Sequence, residues 1–199
     1  MSRGLVLALS ALVAALSLVP WFAQASHRDP KDGNDTKGLL DVKRVIVQGR
    51  EKPRWETRTY ARWTVKRIWD RGFVFVYLDT FGDERFDYYA LIRGDVNHMT
   101  ATLFRDRREK QDLDIGSLKA WRKDKRSVVV RIPLRKMNFP ETRLTYRWRV
   151  QTIFTGSPCR RGCFDLVPNS GAISEPIPGR EPTPTPTITI SPTPTPSVT

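Results

Sequence analysis

Histidine, cysteine and methionine are nearly missing from this 199-residue chain, which holds two, two and three of them. The scarcity of histidine removes most acid–base chemistry. His27 lies in a polar start, and His98 follows Gly94-Asp95-Val96-Asn97, a turn sequence that predicts a solvated imidazole. No Gly-x-Ser-x-Gly elbow, His-Glu-x-x-His pair or phosphate-cradling glycine loop is present. Two carboxylates alone suffice for glycoside hydrolysis, so a small secreted hydrolase stays as a rival reading. No internal repeat is evident. Long apolar runs are also lacking, with one exception at the start.

That exception runs from Leu5 to Val19, after Met1-Ser2-Arg3 and before Pro20 and Ala23-Gln24-Ala25. A basic start, an apolar run of about 15 residues and an Ala-x-Ala exit form the pattern of a secretory signal. The run is shorter than the roughly 20 residues a membrane-spanning helix requires. The expectation is a signal peptide over 1–25, with a mature chain that is secreted, extracellular or held at the cell envelope, and has no transmembrane segment. Cleavage after Ala25 removes Arg3 and lowers the formal charge from +13 to +12.

The two cysteines, Cys159 and Cys163, enclose Arg-Arg-Gly. In an exported chain such a pair is expected to be a disulfide. Zinc requires four ligands, and no histidine is near in sequence. A redox Cys-x-x-Cys motif has two intervening residues, not three. A loop this short fixes local shape more than it adds global stability.

What the chain has in quantity is positive charge: 34 Lys and Arg against 21 Asp and Glu. Charge of this sign favours anionic partners such as wall polymers and acidic glycans, and it also serves solubility. Nothing points to a specific nucleic acid, and no feature of the sequence sets an oligomeric state.

Residues 26–38 form a polar N-terminal segment. From Leu39, short apolar and β-branched stretches alternate with Gly, Asp, Asn and Pro. Strands are predicted over 40–48, 55–65, 73–80, 85–92, 99–104, 117–121, 127–134 and 144–155. About eight strands with short connections predict an all-β, antiparallel, jelly-roll-like sandwich over 39–170. In the last strand Leu144, Tyr146, Trp148, Val150, Thr152 and Phe154 share one face, with Arg147, Arg149 and Gln151 on the other. Phe73 to Leu78 is apolar at every position, which predicts a central strand covered on both sides. Asp79 to Arg85 reads as a hairpin turn, and Asp106 to Asp112 as one helical turn. Over 171–199 the chain becomes Thr/Pro-rich, the composition of an extended, disordered tail.

Two acidic groups stand out. One contains Asp29, Asp32, Asn34, Asp35 and Asp41, and the other Asp79, Asp83 and Asp87. Loops dense in such oxygens suit calcium, and Asp32, Asp35, Asp41, Asp79 and Asp87 form a candidate set around one shared ion. The spacing is not that of an EF-hand, and aspartate also favours turns for local hydrogen-bonding reasons. Arginine also interleaves with aromatics, as in Arg54-Trp55, Arg62-Trp63 and Tyr146-Arg147-Trp148-Arg149. Alternation buries the aromatics and leaves Arg58, Arg62, Arg147 and Arg149 as an anion-binding patch if their two strands are neighbours.

Gly38-Leu39-Leu40-Asp41-Val42, the stretch from Thr59 to Trp63, Leu78-Asp79-Thr80 and Asp87-Tyr88-Tyr89 carry a resemblance. Tyr146-Arg147-Trp148 through Thr152, then Cys159, Cys163 and Asp165 before Pro168, extend it. Together they resemble secreted β-sandwich proteins of actinobacterial type and, more distantly, family 9 carbohydrate-binding modules and DOMON-like domains. The resemblance implies a β-sandwich outside the cytoplasm, a non-catalytic role, sugar binding by exposed tryptophans and structural calcium. No sugar-binding residue of those modules maps onto a position here. The reading is a secreted, non-enzymatic module for a carbohydrate or anionic envelope polymer. A purely structural envelope protein is the third possibility.

Overall fold

The computed structural model describes residues 27–62, 72–95 and 98–180. The expected signal peptide, the far end of the strand expected over 55–65, and the Thr/Pro run from 181 lie outside them.

The order is β1 (His27–Arg28), β2 (Val42–Gln48), β3 (Arg54–Thr59), β4 (Gly72–Asp79), β5 (Tyr88–Asp95) and β6 (His98–Arg105). It continues with β7 (Leu113–Ser117), β8 (Lys119–Asp124), β9 (Ser127–Arg131), β10 (Thr145–Phe154), β11 (Cys163–Val167) and β12 (Ile173–Pro176). One sheet has the order β1-β2-β3-β9-β8 and the other β11-β10-β4-β5-β6-β7. β12 also pairs with β10, on Thr145–Trp148, beside the Val150–Phe154 stretch that pairs with β11. Every pairing is antiparallel, so the expected all-β sandwich is what the chain forms.

The alternation in β10 sets its face: Tyr146, Trp148, Val150, Thr152 and Phe154 point into the core. Leu144 precedes the strand and is exposed. Across the core, Trp55, Val45 and Val47 of the first sheet meet Trp148, Val76 and Leu78 of the second, all fully buried. Burial of such side chains contributes roughly 1.5–3 kcal/mol each.

Two expectations about elements change. The single strand expected over 117–121 is two strands in different sheets. Gly116, at φ +122°, stands beside a register shift between Leu103 and Phe104, and the chain then crosses from β7 to β8. Asp106–Asp112 is a turn, closed by Asp106 Oδ1 accepting from the Arg108 N–H at 2.8 Å. Among the described residues the only helical element is the 3-10 turn Leu134–Lys136.

The folded region also exceeds 39–170 at both ends. β1 pairs with β2, and Lys31 bridges to Arg44. At the other end Glu175 and Ile177 are buried. The Arg180 guanidinium donates to the carbonyls of Phe139, Pro140 and Arg143. Proline-rich composition masked this extension, because the pairing residues Ile173 to Pro176 supply only four positions.

Candidate functional site

The disulfide between Cys159 and Cys163 is present, and Cys159 lies buried under the Gly38 backbone. The four arginines do not form one patch. β3 pairs with β2 and β9, whereas β10 pairs with β4, β11 and β12, so the two strands lie in opposite sheets. Their tryptophans face each other inward, which sends Arg58 and Arg149 out through opposite faces of the sandwich. Arg62 lies beyond the end of β3 and is exposed. Arg147 is engaged by Asp79, with contacts of 2.8 and 2.6 Å to a carboxylate that is fully buried.

The acidic residues also separate. Asp79, Asp83 and Asp87 bring carboxylate oxygens within 4.8 Å of one another, and Asp32, Asp35 and Asp165 do the same elsewhere. Asp79 is in register with Arg147 and Asp165 with Thr152, five residues along the same strand, or roughly 17 Å. One ion cannot serve both groups, which corrects the shared set of Asp32, Asp35, Asp41, Asp79 and Asp87.

The hairpin group is saturated from within. Asp79 Oδ1 accepts the Gly82 N–H, and Oδ2 holds Arg147. Asp87 Oδ2 accepts from the Thr80 N–H at 2.8 Å, the Thr80 hydroxyl at 3.1 Å and the Phe81 N–H at 3.2 Å. Asp83 holds Arg108 at 3.0 Å. These are the turn-forming roles aspartate has in hairpins.

The outward face of the larger sheet departs from expectation in a different way. Phe73, Phe75 and Tyr77 of β4 are half-buried, not covered. Around them stand Tyr89 of β5, Phe104 of β6 and Phe86 from the hairpin turn. Phe75 and Tyr77 stack at 5.6 Å, Tyr89 and Phe104 at 5.1 Å, and Tyr77 contacts both Phe86 at 5.4 Å and Tyr89 at 6.0 Å. Arg149 lies over the Phe86 ring at 4.9 Å. The Tyr77 hydroxyl contacts Gln151 Oε1 at 2.9 Å and the Tyr89 hydroxyl contacts Asp112 Oδ2 at 2.6 Å. Burial and the neighbouring Asp112 hold the Tyr89 hydroxyl well above the usual phenol range.

At one end this layer opens into a cleft of about 330 Å³, walled by Tyr77, Phe86 and Tyr89 and rimmed by Arg85, Arg108, Asp87 and Asp106. That volume is at the lower end for small-ligand sites. Of the aromatics singled out in sequence, Trp55, Tyr146 and Trp148 are core and do not enter the cleft, and Trp63 lies outside the described residues. Sequence reading missed the cleft because it took the apolar run Phe73 to Leu78 as doubly covered. The signal available was the aromatic character of its odd positions.

No protein-family model, curated protein or solved structure matches this chain.

Proposed function

We propose that the protein is a secreted, non-catalytic module that binds an acidic carbohydrate polymer on the outer face of its larger sheet. The observation that carries this reading is the aromatic layer itself. An outward face of an antiparallel sheet is ordinarily polar, and here β4, β5 and β6 present Phe73, Phe75, Tyr77, Tyr89 and Phe104. Apolar faces of this kind mark interaction sites. The C–H faces of sugar rings pack against aromatic rings, and guanidinium groups grip carboxylate, sulfate or phosphate substituents. The cleft offers both, with three rings as walls and Arg85 on the rim beside Arg108, whose guanidinium also holds Asp83. Export is supported by the signal-like start and by the disulfide. A hydrolase in the cleft finds Asp87 already committed to three donors, which favours binding over catalysis.

The test is native affinity electrophoresis through gels containing polygalacturonate, dextran sulfate or neutral dextran. Retardation by an acidic polymer, weakening as salt rises, is the expected result, since each neutralised charge releases a counterion. Tyr77→Ala and Phe86→Ala should abolish it, and Arg58→Ser, on the opposite sheet, should leave it intact. Equal retardation of Tyr77→Ala and the parent protein, or no retardation at low salt, sinks the reading.

A further inference from the structure

The second acidic group, unlike the hairpin group, has no ion-paired cation among the described residues. Asp32 and Asp35 belong to the segment leading into β2, and Asp165 sits on β11 in the opposite sheet; each offers an oxygen within 4.8 Å of the others. Asp41 lines the same cavity as Asp35, together with Asn34, Thr36, Tyr60 and the exposed Lys37, which forms no ion pair with either carboxylate. Among the described residues no lysine or arginine forms an ion pair with any of these four carboxylates.

Their oxygens are also underused. Asp41 is 2% exposed, and its Oδ1 is buried without a hydrogen-bond partner; Asp32 Oδ2 is in the same condition. Asp165 is 4% exposed, and its Oδ2 and Oδ1 accept from the Val42 and Leu166 N–H groups at 2.6 and 2.8 Å. Buried anionic oxygens without donors are costly unless a proton or cation neutralises them. The surroundings are braced as a ligand cage is braced. The Tyr60 hydroxyl donates to the Asp32 carbonyl at 2.7 Å, and the Thr36 hydroxyl to the Phe164 carbonyl at 3.2 Å. The Asn169 amide reaches Asp35 at 3.4 Å.

We propose that Asp32, Asp35, Asp41 and Asp165 form a calcium site that bolts the segment entering β2 to β11, and so one sheet to the other. The donors are all oxygen, which selects a hard cation over zinc or copper. Calcium accepts six to eight such oxygens in irregular geometry, whereas magnesium demands a regular octahedron. The side chains of Asn34 and Asn169 and nearby carbonyls are available to complete the shell.

The experiment is calorimetric titration of calcium chloride into chelator-treated full-length protein, paired with thermal melts. Calcium should bind one-to-one and raise the melting temperature, because it binds only the folded form, and magnesium at equal concentration should not substitute. Asp35→Asn, at an exposed position that tolerates the change, should weaken binding roughly tenfold or more, since charge count tunes calcium affinity. Asp165→Asn should do the same wherever it folds. Asp83→Asn, in the saturated hairpin group, should bind as the parent does. No heat and no melting shift at millimolar calcium overturns the proposal. So does binding that survives Asp35→Asn but is lost in Asp83→Asn.

Discussion

Trp55 and Trp148 meet edge to face across the two sheets, with ring centroids 6.5 Å apart and planes at 83°. Both are fully buried, and neither indole N–H has an acceptor. The contact is therefore apolar packing, held in spite of two unsatisfied donors that each cost roughly 1–3 kcal/mol. Trp148→Ala should destabilise the protein by about 3–5 kcal/mol through the cavity it leaves. Trp148→Phe should cost less, because it removes a stranded donor along with part of the ring. Urea denaturation of both variants checks the order; an unchanged midpoint for Trp148→Ala would falsify the packing account.

Arg147 is a structural residue. Its side chain is about a quarter exposed, while the Asp79 carboxylate it holds is buried. Removing the cation leaves an uncompensated buried anion, a change that costs about 3–5 kcal/mol in closed interiors and somewhat less at this half-open position. Arg147→Ser should lower the melting temperature clearly. Arg58→Ser should shift stability by less than about 0.5 kcal/mol, as is usual for surface positions. Equal melting temperatures for the two variants would reject the distinction.

The bridge between Cys159 and Cys163 closes a separation of only four residues. The loop-entropy model then assigns it about 2 kcal/mol. Cys159→Ser with Cys163→Ser should give a folded protein with a modestly lower denaturation midpoint. Gly38→Ala should be the more damaging change. An added Cβ would stand 2.8 Å from both Cys159 Sγ and Phe154 Cδ1, at φ +110°. Chemical denaturation of the two variants side by side tests the ranking, and a milder Gly38→Ala would refute it.

Burial of the Asp41 and Asp165 carboxylates also sets a pH dependence. Asp41 at about 6 and Asp165 at about 7 both lie above the ordinary value of 3.8. The folded form therefore holds protons that the unfolded chain has released. Stability should fall as pH climbs from about 4 through 7, then level off once both states are ionised. Denaturation midpoints in chelator at pH 5 and pH 8 measure this. A higher midpoint at pH 8 would contradict the sign.

The sandwich was legible because its strongest signals are local. Alternation in Tyr146 to Phe154 and the β-branched run Val128 to Val130 required no partner to be recognised. Which strands pair is a non-local question, and there the arginine patch failed: equal alternation in β3 and β10 is as compatible with opposite sheets as with neighbours. The same limit hid Asp165, 124 positions after Asp41, whose role depends on β11 lying beside the segment that enters β2. Two acidic clusters in the sequence invited a single ion, whereas the register of β10 holds them apart.

The ion pair between Arg28 and Glu175, 3.2 Å long, joins the first and last strands of the fold. Their sequence separation of 147 is closed in space, so the order in which the strands are synthesised is not what the architecture depends on. A circular permutant follows from this. A flexible linker from residue 180 back to residue 27, with new ends opened between the exposed Glu109 and Lys110, retains every strand pair described. In that rearranged chain β7 becomes the leading strand and β6 the last. The sheet that carries the aromatic cleft would then be assembled from both extremities of the polypeptide.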